Sequence, residues 1–347
     1  RLVRAMATSG ARVQLALAPA GTGKTTAMRV LARAWEEAGG TVVGLAPSAV
    51  AAATLGEEIS QTTTIAKLLH DQRAQPANTD AAIGPSTLVI VDEAGMTDTL
   101  TLAEFISYAL SRGASIRLIG DDQQLAAIGA GGVLRDLQRS YGAIELDAVL
   151  RFTDDGEKAA SLALRDGDPA ALGWYLDHDR IHAGSPETAL EATVRSWHED
   201  SRRALETIML ATTRQEVAEL NRRAQTRRVG ILLGPTVELS DGNVATVDDV
   251  ILTRRNDRRL GTSHAGWVKN GDRWSVERVH VDGSLEVRHR RTGGRALLPA
   301  WYVAAHVELG YASTVHSAQG ITVDATHTLL TGTESRQQAY TMLTRGR

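Results

Sequence analysis

Leu15-Ala-Leu-Ala-Pro-Ala-Gly-Thr-Gly-Lys-Thr-Thr26 is the stretch on which the reading of this chain turns. The apolar, alternating residues from Val13 to Leu17 predict a buried strand, and the pattern from Thr25 to Glu37 predicts a helix. Between them lie Pro19, Ala20, Gly21, Thr22 and Gly23, a small-residue loop at a strand-to-helix junction. Gly21 and Gly23 let backbone N–H groups turn inward on a polyphosphate, and the helix start adds partial positive charge. Lys24 can reach the β- and γ-phosphates of a nucleotide, the Thr25 hydroxyl can ligate Mg2+, and Thr26 closes the phosphate-contacting stretch. Ala18 stands where the usual pattern has Gly. An ordinary small-residue turn is the competing reading, and Gly-Lys-Thr at the helix start weighs against it. The stretch specifies a nucleotide and leaves the reaction open.

A chain of 347 residues predicts about two to three domains with a substantial core. Hydrophobic content of 43% with 23% charged residues is that of a globular protein. The absence of Cys excludes disulfides and Cys-ligated metals and suits a reducing, cytoplasmic setting. The longest apolar runs fall short of the roughly 18 residues that span a bilayer, so membrane insertion is not expected. The net charge of −3 gives no whole-chain basic signature for nucleic acid. Charge is uneven, however: residues 250–299 hold 11 Lys plus Arg against 5 Asp plus Glu. A solvated face is the ordinary reading of such an excess.

Residues 1–150 repeat one theme of apolar strand, polar turn and helical segment, and the first domain is predicted over 1–147. Strands are predicted over 13–18, 41–46, 87–91 and 115–119, with helices over 25–39, 49–56, 99–112 and 132–139. This alternation argues an α/β fold with a parallel, doubly wound sheet, whose ligands sit at the carboxyl ends of the strands. Residues 71–86 have no clear period and read as a loop or short hairpin. Residues 148–228 look helical apart from a strand over 207–211. From about 235 to 305, short alternating segments between Gly, Asn and Asp turns predict a small antiparallel β-barrel inserted into a second α/β domain, 148–234 and 306–347.

Leu88-Val-Ile-Val-Asp-Glu-Ala-Gly-Met96 is an apolar strand ending in two acids. Asp92 is placed to hold Mg2+ and Glu93 to orient and deprotonate an attacking water. Two acids capping a strand are ordinarily just a solvated strand end. A third strand then ends in Ile119-Gly-Asp-Asp-Gln-Gln-Leu125, and with the phosphate loop upstream coincidence becomes improbable.

Gly-Lys-Thr, Asp-Glu-Ala and Gly-Asp-x-x-Gln-Leu, in that order, resemble the first motor domain of a superfamily 1 helicase of the RecD-like branch. The resemblance implies two RecA-like P-loop domains, with Gln124 contacting the γ-phosphate and the attacking water. Ala46-Pro47-Ser48 resembles the loop that holds the DNA backbone, and Thr64 lies in the segment that follows it. Val149-Leu-Arg-Phe-Thr153 resembles the motif giving an arginine from the second motor domain, here Arg151. Thr207 to Arg214, with Thr213 and Arg214, resembles the opening of that domain's sheet. Gly310 to Gly320 resembles the motif joining DNA to nucleotide, with His316 and Gln319 at its centre. Tyr340 to Arg347 resembles the last motif, in which Arg345 meets the γ-phosphate. The β-rich stretch resembles the SH3-like insertion over the DNA path, Asn256 included, and residues 71–86 sit where relatives carry a strand-splitting pin. Trp267, Trp274 and Trp301 can stack on bases, although Trp in a small barrel is ordinarily core. The wording from Arg151 to Ile181 is similar to the helicase part of TraI/TrwC-type conjugative relaxases.

The resemblance implies an ATP- and Mg2+-dependent helicase moving 5′→3′ on single-stranded DNA. It would act as a monomeric motor, serving conjugation machinery through its parent protein. A DNA-stimulated ATPase without unwinding, or a vestigial module that binds single-stranded DNA without hydrolysis, are the alternatives. The adenine-reading glutamine of the family is expected before Arg1, and the chain is expected to be a fragment at its C-terminus. No metal-binding His triad of a relaxase is found, so nicking is not expected.

Overall fold

The computed structural model describes all residues except 1, 75–82, 126–131, 147–148, 231–233, 265, 320, 322 and 347. The chain divides into two compact units, Arg1–His178 and Asp179–Arg347.

The first unit contains α1 (Leu2–Thr8), β1 (Val13–Leu17), α2 (Lys24–Glu37), β2 (Thr41–Ala46), α3 (Ala49–Leu55), β3 (Thr62–Thr64) and α4 (Ile65–Ala74). It continues with β4 (Thr87–Val91), α5 (Thr99–Ser111), β5 (Ser115–Gly120), α6 (Val133–Tyr141), β6 (Ile144–Glu145), α7 (Asp155–Asp166) and α8 (Ala171–Asp177). Its six strands form one parallel sheet in the order β3-β2-β4-β5-β1-β6. Successive side chains of a strand face opposite sides, and both sides are covered. Leu15, Leu17, Val43, Val89 and Val91 pack under α4, α5 and α6. Ala16, Val42, Leu88 and Ile90 pack under α1, α2 and α3. Arg117 of β5 is fully buried and satisfied by carbonyls, donating to Met6 at 2.9 Å and Ala11 at 3.2 Å. It thereby ties α1 to the sheet.

The division between units falls after His178, whereas the motif reading put it after residue 147. Leu150 and Arg151 donate their amides to the Gly21 carbonyl at 2.8 and 3.0 Å, and Arg165 pairs with Asp121 and Asp122. These contacts bind the stretch that includes α7 and α8 into the first unit. Residues 71–74 belong to α4 rather than to a loop, and 75–82 of the expected pin lie outside the described residues.

The second unit contains α9 (Pro186–Arg202), β7 (Thr207–Ala211), α10 (Arg214–Val229), β8 (Val237–Glu238), β9 (Val244–Ala245), β10 (Val250–Thr253), β11 (Asp257–Thr262) and β12 (Gly266–Val268). After these come β13 (Arg273–Val279), β14 (Leu285–His289), β15 (Arg295–Leu298), α11 (Ala300–His306), β16 (Val307–Leu309), β17 (Ala312–Thr314), β18 (Ala325–Thr328) and α12 (Arg336–Leu343). A parallel sheet, β17-β7-β18, carries the α/β part. An antiparallel sheet, β15-β14-β13-β10-β16, and two small ribbons, β8-β9 and β11-β12, make the β-rich part. No strand pair closes that sheet into a barrel among the described residues. Its core is continuous with the α/β part: Met209, Val217 and Leu220 share one apolar cluster with Ile251, Trp274, Val287, Tyr302 and Leu309. The β-rich part therefore runs on to Leu309, past the predicted end at 305. Gly310 is required where it stands, because a Cβ there would lie 2.9 Å from the Ile251 carbonyl carbon.

Candidate functional site

Three neighbouring strands deliver three polar loops to one edge of the first sheet. β4, β5 and β1 lie side by side, with Val91 opposite Leu118 and Leu17 opposite Gly120. The loops that follow them carry Pro19 to Thr26, Asp92 with Glu93, and Asp121 to Gln124. Sheet order alone brings together residues about 100 positions apart.

The first loop is held open by its own backbone. Gly21 and Gly23 have φ of 78° and 80°, a left-handed conformation that L side chains resist. Thr22 is buried, and its hydroxyl donates to the Pro19 carbonyl at 2.9 Å. Gly23 caps α2 without a side chain, so the first amides of that helix have no side-chain acceptor from their cap. Such an N-terminus suits an anion. Pro19 and Ala20, at the start of the loop, are buried, while Thr25 and Thr26 are exposed. Lys24 Nζ lies 3.2 Å from the Ala18 carbonyl and 3.8 Å from Glu93 Oε1.

Asp92 accepts the Glu93 amide at 2.9 Å. Its carboxyl is pushed up to about 7, first by burial and then by the Glu93 charge, against the opposing pull of Lys24. A half-buried carboxyl raised in this way is relieved by a cation, so the oxygen donors of Asp92 and Thr25 suit Mg2+. Glu93 itself has φ 49°, an unusual conformation for a residue with a side chain.

Gln124 is almost wholly buried. Its Nε2 donates to Asp121 Oδ2 at 3.2 Å. Arg165 of α7 pairs with Asp121 Oδ1 at 3.2 Å and Asp122 Oδ1 at 2.6 Å. Arg151 runs across the phosphate loop: a Cβ at Gly21 would lie 2.4 Å from the Arg151 Cβ and 3.4 Å from its Nε. It meets the loop as part of the first unit, not from the second as its motif implied.

The same edge of the sheet carries the predicted nucleic-acid residues of this unit. Ala46 and Thr64 are register partners on β2 and β3. Pro47 follows β2, Ser48 caps α3 by accepting from the Ala51 amide at 3.2 Å, and Thr64 accepts from the Lys67 amide at 3.1 Å.

In the second unit, Ala211 and Thr314 end paired strands, which brings the Thr213–Arg214 turn near the loop holding His316 and Gln319. Thr213 forms a capping box with Glu216 at the start of α10, and Arg214 is exposed. His316 and Gln319 are half-buried, and Gln319 donates its amide to the His316 carbonyl at 3.4 Å. Arg254 braces this loop, reaching Ser317 Oγ at 3.1 Å while pairing with Glu308 at 2.5 Å. Asn256 is exposed and accepts the Asn270 amide at 2.9 Å. Arg345 is buried, with Nε donating to the Thr341 carbonyl at 3.1 Å. Gly320 lies outside the described residues.

Of the three tryptophans considered for base stacking, Trp274 is core. Trp267 is half-buried on the β11-β12 ribbon, with Arg258 and Lys269 at 5.0 and 5.2 Å from its ring. Trp301 is half exposed beside Arg259 at 5.8 Å.

Two polar clusters were not singled out in the sequence. One is the Arg165–Asp121–Gln124 chain. The other is Asp249, fully buried, which accepts Gln225 Nε2 at 2.5 Å, Arg228 Nη2 at 2.6 Å, the Tyr311 hydroxyl at 2.5 Å and the Thr246 amide at 2.8 Å. Asn221 similarly bridges the Leu309 carbonyl and the Ala312 amide. Neither cluster has a fixed spacing, because each joins residues from separate elements.

Residues 1–186 match the model of the AAA domain family. Over 345 residues the chain is 31% identical to the conjugal transfer protein TraA of Agrobacterium fabrum, covering 97% of this chain and 30% of that protein. It is 26% identical over 352 residues to the ATP-dependent RecD2 DNA helicase of Deinococcus radiodurans, covering 98% of this chain and 46% of that one. In fold it resembles the Pif1 helicase from Bacteroides solved with ADP-AlF3 and single-stranded DNA. The TM-score is 0.63 at 17% identity, over 96% of this chain and 86% of that one. The chain thus spans about 30% of the length of its TraA relative.

Proposed function

We propose, for a chain that belongs to the AAA domain family and is related to the RecD-like helicases and the TraA conjugal transfer proteins, that it hydrolyses ATP to move along single-stranded DNA. The observation that carries this is the convergence of Lys24, Asp92 with Glu93, and Gln124 at the ends of three adjacent parallel strands. Pro19 to Thr26 cradle the phosphates, and Lys24 neutralises charge on the β- and γ-oxygens. Thr25 and Asp92 would hold Mg2+, which supplies further charge neutralisation at the transferring phosphoryl group. Glu93 orients the attacking water and takes its proton. Gln124 reads the γ-phosphate, and Arg151 steadies the charge that spreads over it during transfer. The corresponding role of Arg345 rests on its motif.

Pro47, Ser48 and Thr64 hold the DNA backbone from the first unit; Thr213, Arg214, Asn256, His316 and Gln319 do so from the second. The antiparallel part is read as an SH3-like insertion, and its excess of arginine suits a phosphate track. We assign 5′→3′ movement, a cytoplasmic setting and a place within a longer conjugal transfer protein on the same family grounds.

Steady-state ATP hydrolysis with and without a poly-dT oligonucleotide tests the reading, with Lys24→Ala as control. Strong stimulation by DNA, lost in the control, is expected. Tight DNA binding without hydrolysis would replace the motor by a vestigial binding module, and hydrolysis without strand displacement would leave a translocase.

A further inference from the structure

The loop after β5 is gripped from a distant element. Arg165, near the end of α7, spreads its guanidinium over two carboxylates, with Nε 3.2 Å from Asp121 Oδ1 and Nη2 2.6 Å from Asp122 Oδ1. The Asp121 side chain is wholly buried and that of Asp122 nearly so. Asp121 turns its other oxygen, Oδ2, to Gln124 Nε2 at 3.2 Å, and its backbone carbonyl takes the Gln124 amide at 3.3 Å.

A carboxylate only accepts, so it selects the NH2 side of a neighbouring amide. With one Nε2 hydrogen committed to Asp121, the side-chain amide of Gln124 is fixed in one of its two flips. A planar fork on both acids sets the position of Asp121 more tightly than a point charge would. We infer that Arg165 is a positioning residue for Gln124, setting through Asp121 the amide orientation with which Gln124 distinguishes a nucleoside triphosphate from a diphosphate. The inference rests on the nucleotide reading above. It adds that the sensor is set from α7, in the same stretch whose Leu150 and Arg151 amides hold the phosphate loop at Gly21.

A merely structural ion pair would lower stability and weaken both nucleotides alike. The test is a double-mutant cycle in the full chain with Arg165→Ala, Gln124→Ala and the pair. The readout is the affinity ratio of a fluorescent non-hydrolysable ATP analogue to its ADP counterpart, in Mg2+. Arg165→Ala should reduce the triphosphate preference about tenfold while ADP affinity stays within twofold, and Gln124→Ala should do the same. The double variant should lose no more than about twofold beyond Gln124→Ala. Arg165→Lys, which keeps the charge and the fold but not the fork, should fall between wild type and Arg165→Ala, and it carries the comparison if the alanine variant unfolds. An unchanged ratio in both Arg165 variants, or losses that multiply in the double variant, overturns the inference. Because the ratio is read from binding, it decides the matter even in a chain that does not hydrolyse ATP. Failure of the motor reading is seen separately, in turnover.

Discussion

Replacing Asp92 by Asn should make the ligand-free protein more stable while stopping hydrolysis. The carboxyl is held at about 7 against an ordinary value of 3.8, chiefly by burial. The sign follows from proton counting. The unfolded chain loses this proton first, so between about pH 4 and pH 7 the folded state binds the extra proton and stability falls as pH rises. Above about pH 7 both states are ionised and the penalty is constant. By linkage, the raised carboxyl lowers folding stability by several kcal/mol at pH 8, where the folded chain must carry the charge, and by about half as much at pH 5, where only the unfolded chain has lost the proton. Asn keeps the shape and carries no charge, so D92N should gain by those amounts relative to wild type. Urea denaturation in EDTA, without nucleotide, at both pH values measures the difference. Adding Mg2+ with a non-hydrolysable ATP analogue should then stabilise wild type more than D92N, because a bound cation relieves the same buried charge. A D92N chain no more stable than wild type at pH 8, or a gain equal at both pH values, would refute the reasoning.

Gly21→Ala combines left-handed strain of about 1–2 kcal/mol with a Cβ 2.4 Å from that of Arg151, so nucleotide affinity should drop at least tenfold in a fluorescence titration with the far-ultraviolet dichroism unchanged. Asp249→Ala strands the part-buried Arg228 and removes the acceptor shared by Gln225 and Tyr311; it should cost about 3–5 kcal/mol in urea unfolding. Trp267→Ala should weaken single-stranded DNA binding by about 1–3 kcal/mol, the worth of one stacked base, without changing the salt dependence. Arg258→Ala should instead lower the slope of log affinity against log salt by about 0.7.

Much of the first unit was legible because its strands are buried on both faces. The runs at 41–46 and 87–91 match β2 and β4 to the residue, since an uninterrupted apolar stretch between turns has few other uses. The strand-loop-helix form of the Pro19–Thr26 stretch was legible for a different reason: its spacing is local. What stayed hidden was either short or non-local. β17 and β18, Ala312–Thr314 and Ala325–Thr328, are three and four residues of Ala, Ser, Thr and His. They lack the apolar alternation that marks a strand, and parallel pairing with β7 defines them. α4 extends through Asp71-Gln-Arg-Ala74, whose polar text hides its helical continuation. Arg165 lies 44 positions from Asp121, and Tyr311 lies 62 from Asp249. No periodicity reports a polar contact of that kind. The division after His178 differs from the motif-based one after residue 147 because it follows the backbone bonds at Gly21 and the Arg165 ion pairs, which motif order does not report.

The shared apolar cluster of the second unit bears on how such chains can be recombined. A small sheet is stable only with its apolar face covered, and here Met209, Leu220 and Tyr311 are covered in common with Ile251, Trp274 and Leu309. Looping out residues 235–305 would strip that cover and leave an apolar face in water. A chimera that borrows the antiparallel sheet from a relative would therefore have to import the inner face of α10 and the Val307–Ala312 stretch with it. The cassette that can be exchanged is larger than the insertion that can be seen.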